Sequence, residues 1–238
     1  METLEAELTR ARSLDVADLA DAIETIGFEC TRCGACCKGY DDADGEREPH
    51  TATVFPDEVR ELEDTTDYDQ RSGDAASGSS SETSLEWRDV ARPMPYGLVE
   101  GDDGLEGETF EWALQTDACG DCTFYTEDED GVGACQVHDD RPLICETYPF
   151  SVALGGTSQP MGEAVDEEGT VRAHECEGLG RDISRAAAED LARALKERAV
   201  RELEEAIGVR DNYEPIEADG EVVVHDSEGA KRVDGTPR

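Results

Sequence analysis

Four thiols crowd into eight residues near the start of the chain, in the run Phe28-Glu29-Cys30-Thr31-Arg32-Cys33-Gly34-Ala35-Cys36-Cys37. A two-residue spacer lets a turn aim two sulfurs at one point, and Gly34 frees the backbone to bend close to a metal or a cluster sulfur. Cys30, Cys33 and Cys36 match the first three ligands of the bacterial ferredoxin run C-x2-C-x2-C-x3-C-P. The fourth cysteine departs from that run by being adjacent. Neighbouring side chains are expected to diverge, so Cys30, Cys33 and one of the pair should share a centre. The other is left for a second centre or a remote cluster corner.

A second set follows at Cys119, Cys122, Cys135 and Cys145, with Cys176 as the ninth cysteine. Cys119-Gly120-Asp121-Cys122 is another C-x2-C with an internal glycine. Nine is odd, so at least one thiol is spare if every centre takes four. A single buried cysteine usually serves as a small apolar core residue, but that reading does not account for this pattern. In a reducing compartment, patterned cysteines mean metal or redox chemistry more often than disulfides. Spacing alone leaves two metals open, because zinc also takes four thiolates in tetrahedral sites. The ferredoxin-like triple favours a [4Fe–4S] iron–sulfur cluster over zinc. A nucleophilic role for Cys119 would need a nearby base to lower its pKa, and the sequence shows none. G-x-S-x-G, the Walker lysine motif, G-x-G-x-x-G after a strand and H-E-x-x-H are all absent.

Together with Cys122-Thr-Phe-Tyr125, Cys135-Gln-Val-His138, Arg141-Pro142-Leu-Ile-Cys145 and Tyr148-Pro149-Phe150, the cysteine run resembles the YkgJ-like CxxCxxCC family, described as a zinc- or iron-chelating domain. The resemblance spans Phe28 to about Gly180. It implies ligands at Cys30, Cys33, Cys36, Cys37, Cys122, Cys135 and Cys145. Cys176 resembles a late cysteine of many members, while Cys119 matches no family position and is the candidate spare. His138 stands where the family often has Tyr. The resemblance implies no particular reaction. Eight matching cysteines permit two four-thiolate centres, or one cluster and one zinc.

Three cations are candidates to support a cofactor. Arg32 and Lys38 flank the first thiols and Arg141 lies between two of the second set. A four-thiolate [4Fe–4S] core carries net negative charge, which such cations would offset. Their ordinary readings are solvated side chains and a surface salt bridge. Pro142 fixes a turn. Tyr148-Pro149-Phe150 reads as a packed turn shielding the site, and Trp87 and Trp112 read as core anchors. His174, two residues before Cys176, is either a ligand or an ordinary polar histidine. His50 and His225 carry no signal.

The elements around these residues predict an α+β fold, a small irregular metal-stapled domain with flanking helices. Leu4 to Ile26 reads as helix, with Asp15 capping its second half and Gly27 ending it. Thr51–Phe55 reads as a strand and Pro56–Leu62 as a helix opened by proline. Phe110–Leu114 and Thr170–Ala173 read as strands. Residues 41–49 and 68–85 read as acidic or Ser-rich insertions. From Cys119 to Phe150 there are turns and prolines without regular period. The clearest helix runs from Ile183 to Ile207, with Ile183, Ala187, Leu191, Leu195, Ala199, Leu203 and Ile207 at i+4 steps and Gly208 after it. The expected organisation is an N-terminal helix (1–27), the metal-binding domain (28–180), the amphipathic helix (181–208) and a polar tail (209–238). That tail is either disordered or a hairpin around Glu221–His225.

Sixty acidic against 21 basic residues give a net charge of −39, and there are only three lysines. This excludes the basic clusters that nucleic acid and anionic membranes require. It resembles proteins of extreme halophiles, where concentrated salt screens self-repulsion. No apolar run approaches membrane-spanning length and no signal peptide precedes the first helix, so a cytoplasmic protein is expected. The leading function is an iron–sulfur protein for electron transfer or redox work with a protein partner. The alternative is a zinc-binding structural or interaction module without catalysis. A radical enzyme ranks third, because the C-x3-C-x2-C spacing is missing.

Overall fold

A computed structural model describes residues 3–41, 45–65, 85–101, 104–154, 164–216, 218 and 220–238. Two helices open the chain, α1 (Leu4–Ser13) and α2 (Val16–Ile26). The single expected helix is broken because Leu14 and Asp15 adopt extended backbone, and the Asp15 carboxylate accepts the Ala17 N–H at 2.7 Å. Asp15 therefore caps, as its residue type dictates, and in doing so ends the first helix. A short pair, β1 (Tyr40–Asp41) and β2 (Arg47–Glu48), precedes β3 (Thr53–Val54) and α3 (Pro56–Glu63). Most of the expected insertion at 68–85 lies outside the described residues; Leu85, at its end, is buried.

The middle of the chain holds α4 (Trp87–Val90), β4 (Ala91–Pro93), β5 (Leu98–Gly101), β6 (Gly104–Thr109) and β7 (Trp112–Leu114). After them come β8 (Tyr125–Glu127), β9 (Gly133–Cys135), a 3-10 turn at His138–Asp140 and α5 (Leu143–Thr147). Then follow β10 (Phe150–Val152), β11 (Ala164–Asp166), β12 (Val171–His174), α6 (Arg185–Asn212), β13 (Val222–Asp226) and β14 (Gly229–Lys231). The fold is mixed α+β, with small sheets. β3-β7-β4 and β10-β12-β11 are antiparallel, while β14-β13-β6-β5 contains one parallel pair, β6 with β13.

Two apolar cores divide the molecule. In the first, α1, α2 and α6 pack on β10 and β12 through Leu8, Leu19, Ile23, Phe150, Val171, Leu195 and Leu203. The buried stripe of α6 is Ala188, Ala192, Leu195, Ala199 and Leu203, with Ala187 exposed. A strict i+4 row drifts around a 3.6-residue helix, so the buried face takes one i+3 step. Arg185 pairs with Asp21, Glu24 and Glu189, tying α6 to α2. In the second core, Val54, Val59, Leu62, Trp87, Trp112, Leu114 and Phe124 pack together, and Cys37, Cys122, Cys135 and Cys145 lie against them.

The tail is the hairpin of the two readings. Val223 and Val224 are buried, the Trp112 indole N–H donates to Asp226 at 2.9 Å, and Lys231 pairs with Asp226 at 2.9 Å. The long helix continues through Gly208 to Asn212 instead of stopping there. A Cβ at Gly208 would stand 2.6 Å from the Ser227 Cβ, so the missing side chain serves close packing of the hairpin.

Candidate metal centre

The first cysteine run leaves α2 at Gly27, whose positive φ of 76° turns the chain away from the helix. It then runs antiparallel to the segment after Cys176. Glu29 N–H donates to the Gly178 carbonyl at 3.0 Å, Gly180 N–H to the Gly27 carbonyl at 3.0 Å, and Phe28 pairs with Leu179. This bridge brings Cys176 beside Cys30 and Cys33 across most of the chain. Burial raises the Cys176 thiol, and the neighbouring Cys36, Cys33 and Cys30 raise it further, while the Gly178 N–H donated to its sulfur at 3.4 Å opposes the shift.

Past Cys33 the backbone enters a tight turn. Cys37 N–H and Lys38 N–H both donate to the Gly34 carbonyl, at 2.8 and 3.1 Å. In such a turn successive side chains do not point to opposite sides, and the Cys36 and Cys37 sulfurs stand 3.8 Å apart. The expected divergence of the pair is therefore not what the turn produces. Their contact splits the two thiols' acidity. Cys36 is lowered to about 7, first by the bond from Cys37 and in part by the Arg141 charge, whereas Cys37 is raised by its bond to Cys36 and by burial. Gly34 has φ 76°, and a Cβ there would meet the Tyr125 hydroxyl at 2.1 Å.

The second thiol set is pinned to this turn. Cys122 N–H donates to the Cys37 carbonyl at 2.8 Å, and Gly133 N–H donates to the Arg32 carbonyl at 2.8 Å. Arg32 pays for that carbonyl direction with a positive φ of 58°. Cys135 sits opposite Tyr125 in the β8–β9 ladder. Cys145 lies within α5, whose first N–H, from Leu143, donates to Glu58 at 2.9 Å. Glu58 also takes the Phe55 N–H at 2.9 Å, so one buried carboxylate joins α3 to α5. Burial pushes Cys122 up to about 12 and raises Cys135 and Cys145. For Cys145 the charges of Cys122, Cys135 and Cys36 add to the effect.

Eight of the expected ligands thus fall into two neighbourhoods that meet at Cys36 and Cys37. Cys30, Cys33 and Cys176 lie on one side and Cys122, Cys135 and Cys145 on the other, and Cys36 acts on thiols of both. Cys119 is exposed and acts on none of the shifted thiols. Among the described residues no three Cys, His, Asp or Glu side chains close around a single point as one mononuclear ion would require. All nine cysteines are free of disulfides.

Of the three supporting cations, Arg141 is beside the thiols. Its charge lowers Cys36 and opposes the rise of Cys135, and its buried Nε has no hydrogen-bond partner. His138 Nε2 stands 2.6 Å from the same guanidinium. Lys38 is placed elsewhere, paired with Glu127 and 5.2 Å above the Tyr125 ring. The Arg32 side chain is exposed. His174 lies buried in the β10–β12 sheet with Nε2 2.8 Å from the Ser151 hydroxyl, which is an ordinary structural role. Tyr148 donates to the Glu175 carbonyl, and Phe150, fully buried, meets Phe28 edge-on at 5.7 Å. Burial and the nearby Cys176, Cys36 and Cys33 push the Tyr148 hydroxyl up to about 12.

Sequence reading quoted Tyr125 within the family motif without giving it a role, and missed Glu58 and the Gly178 N–H. Only Glu58 carried a signal, as an acid at the third position of a helix begun by proline.

The model of the CxxCxxCC family, described as "Putative zinc- or iron-chelating domain", matches residues 29–177. The chain belongs to this family. The matched span takes in eight thiols of the two neighbourhoods together with Cys119, so the CxxCxxCC domain and the thiol-lined region are the same part of the molecule. A metal-chelating role follows, with zinc and iron both within the family's description. The donor set fits either, since thiolates suit zinc and iron–sulfur centres alike. No curated protein and no solved structure matches the chain. No described helix is long and apolar enough to cross a membrane.

Proposed function

We propose that this CxxCxxCC domain holds two four-thiolate centres, iron–sulfur in character, and exchanges electrons with a protein partner. The division of the thiols at the Cys36–Cys37 step carries this reading. Cys176 feels Cys36, Cys33 and Cys30, whereas Cys145 feels Cys122, Cys135 and Cys36, so Cys36 stands where the two groups meet. On this reading Cys30, Cys33 and Cys176 would serve one centre and Cys122, Cys135 and Cys145 the other, with one thiol of the Cys36–Cys37 pair completing each. In a cubane each iron takes one cysteine, so four thiols from separate segments can serve one cluster. When bound, a cluster would supply one-electron redox chemistry.

The chain's own residues would tune it. Arg141, with an unsatisfied buried Nε beside Cys36 and Cys135, would donate towards thiolate sulfur and offset charge. The Gly178 N–H would do the same at Cys176. Cys30 and Cys36 are exposed while Cys122 is buried. The first centre would therefore meet a partner at the surface, and the second would lie deeper. Free thiols suit a reducing compartment such as the cytoplasm, and the charge of −39 suits concentrated salt.

One observation favours zinc instead. The 3.8 Å between the Cys36 and Cys37 sulfurs matches the edge of a Zn–S4 tetrahedron with bonds of about 2.3 Å. The test is purification without oxygen in high salt, followed by metal and sulfide analysis and a visible spectrum. About eight irons with labile sulfide and a brown colour that bleaches on reduction are expected. Colourless protein with stoichiometric zinc would overturn the redox reading, and about four irons with one zinc would assign one centre to each.

A further inference from the structure

A cavity of about 420 Å³ lies between α6 and the β3–β7 pair, with Ile144 of α5 in its wall. Its walls include Val54, Met94, Trp112, Ile144, Leu203 and Val209. This is within the usual size of small-molecule pockets, about 300–1,000 Å³, and has their mostly apolar lining. The mouth carries aromatic rings that water has not been kept from. Tyr96 is 72% exposed and Phe110 is 47% exposed. Phe110 stacks on His225 at 5.4 Å and lies 5.7 Å from Tyr213, which leaves its other face and the Tyr96 ring open.

The polar groups of the cavity are one-sided. Glu111, Glu202, Glu205 and Asp226 line it, with Arg198 as its one cation among the lining residues. Three of the carboxylates are already engaged. Glu202 accepts from the Arg198 Nε at 2.7 Å, Glu205 from the Ser227 N–H at 3.0 Å, and Asp226 pairs with Lys231 at 2.9 Å. Glu111 pairs with no cation among the described residues. Its side chain is exposed at the cavity's edge, and its pKa is raised by partial desolvation and then by the charges of Glu202 and Glu205. An apolar chamber with aromatic rings at its mouth and uncompensated carboxylate charge beside them is complementary to an organic cation. The charge would meet Glu111 and the ring faces, and the apolar body would fill the chamber.

We propose that the cavity between α6 and β3–β7 binds a small organic cation with an apolar body, a protonated arylalkylamine in its simplest form. The site is separate from the thiols and does not depend on which metal they hold. Ile144 lines its wall directly before Cys145, so the two sites share α5.

The probe is 4-phenylbutylammonium, titrated calorimetrically into the metal-loaded full chain. High salt is used, so that general attraction to the acidic surface is screened. Saturable binding of one ammonium per chain is expected, with 4-phenylbutanol binding about tenfold more weakly, or about 1.4 kcal/mol. Glu111→Gln should weaken the ammonium by a similar factor and leave the alcohol unchanged. Ala206→Trp, placed on the cavity wall, should abolish both. Metal content is measured on every sample, so loss of binding at full metal load is distinct from failure of the metal reading. Absence of saturable binding, equal affinity for ammonium and alcohol, or indifference to Glu111→Gln would each overturn the proposal. So would a dimer in sedimentation that Ala206→Trp breaks, which would give the cavity to a second copy of the chain. If Ala206→Trp fails to fold, the Glu111→Gln comparison decides alone.

Discussion

The two halves of this molecule are held by different means. Around α6 the chain is regular for long stretches. α1, α2 and α6 place Leu8, Ile23, Leu195 and Leu203 against β10 and β12, and no thiol enters that core. Between Cys119 and Thr147 no regular element exceeds five residues, and the second core includes Cys122 with three more thiols packed against it. Elements that short cannot bury enough apolar area to offset the cost of ordering them. The helical half should fold on its side chains, and the thiol half should need what the thiols bind.

Removing the metal gives the largest expected effect. Thiolate metal sites in small domains contribute on the order of 10 kcal/mol. In the chelated protein, amide exchange should accelerate across 117–150 while α6 stays protected. Equal loss in both halves would mean that the metal holds them both. Next in size is Leu195→Ala, which empties the fully buried middle of α6. It should cost about 2–5 kcal/mol in denaturant unfolding, with metal per folded chain unchanged. Arg141→Gln should reverse that pattern. Competition with a chelator should show metal held about 10–100-fold more weakly, with the helical circular-dichroism signal intact.

The smallest effect tests charge. Arg60 and Lys231 hold the Glu228 carboxyl at about 2, below its usual 4.5. A depressed acid stabilises the fold above its unfolded pKa and loses that contribution as pH falls through the folded value. Glu228→Gln should therefore cost most near neutrality and progressively less below about pH 4.5. The pair is partly exposed, so the cost should stay under about 1 kcal/mol. Urea unfolding of both proteins across that range measures it.

The comparison also explains what the sequence could tell. Asp15, the Pro56 helix, β12 and most of α6 were legible because each is marked within its own few residues, by a cap, a proline or a periodic apolar face. Thiol pairs at C-x2-C spacing were legible for the same reason. The missed features depend on distant partners. The helix passes Gly208 because Ser227 packs there, and β13 joins β6 in parallel across more than a hundred residues. Cys176 reaches Cys30 through Gly27 and Gly180. The α5 helix was hidden by its five-residue length, and its start is held by Glu58 from α3. Nothing local marks Glu111 or the cavity beside it.

The antiparallel bridge between Gly27–Glu29 and Gly178–Gly180 also sets an order of events during synthesis. Cys37, Cys122, Cys135 and Cys145 have all left the ribosome some thirty residues before Cys176 does. At about 5–20 residues per second, Cys30 waits on the order of 10 s for Cys176 to be made. Through that interval Cys30 and Cys33 stand at the surface of a nascent chain without their late partner, open to oxidation or to a carrier that shields them. The group of Cys122, Cys135 and Cys145 is complete first, and the group that waits for Cys176 is closed last.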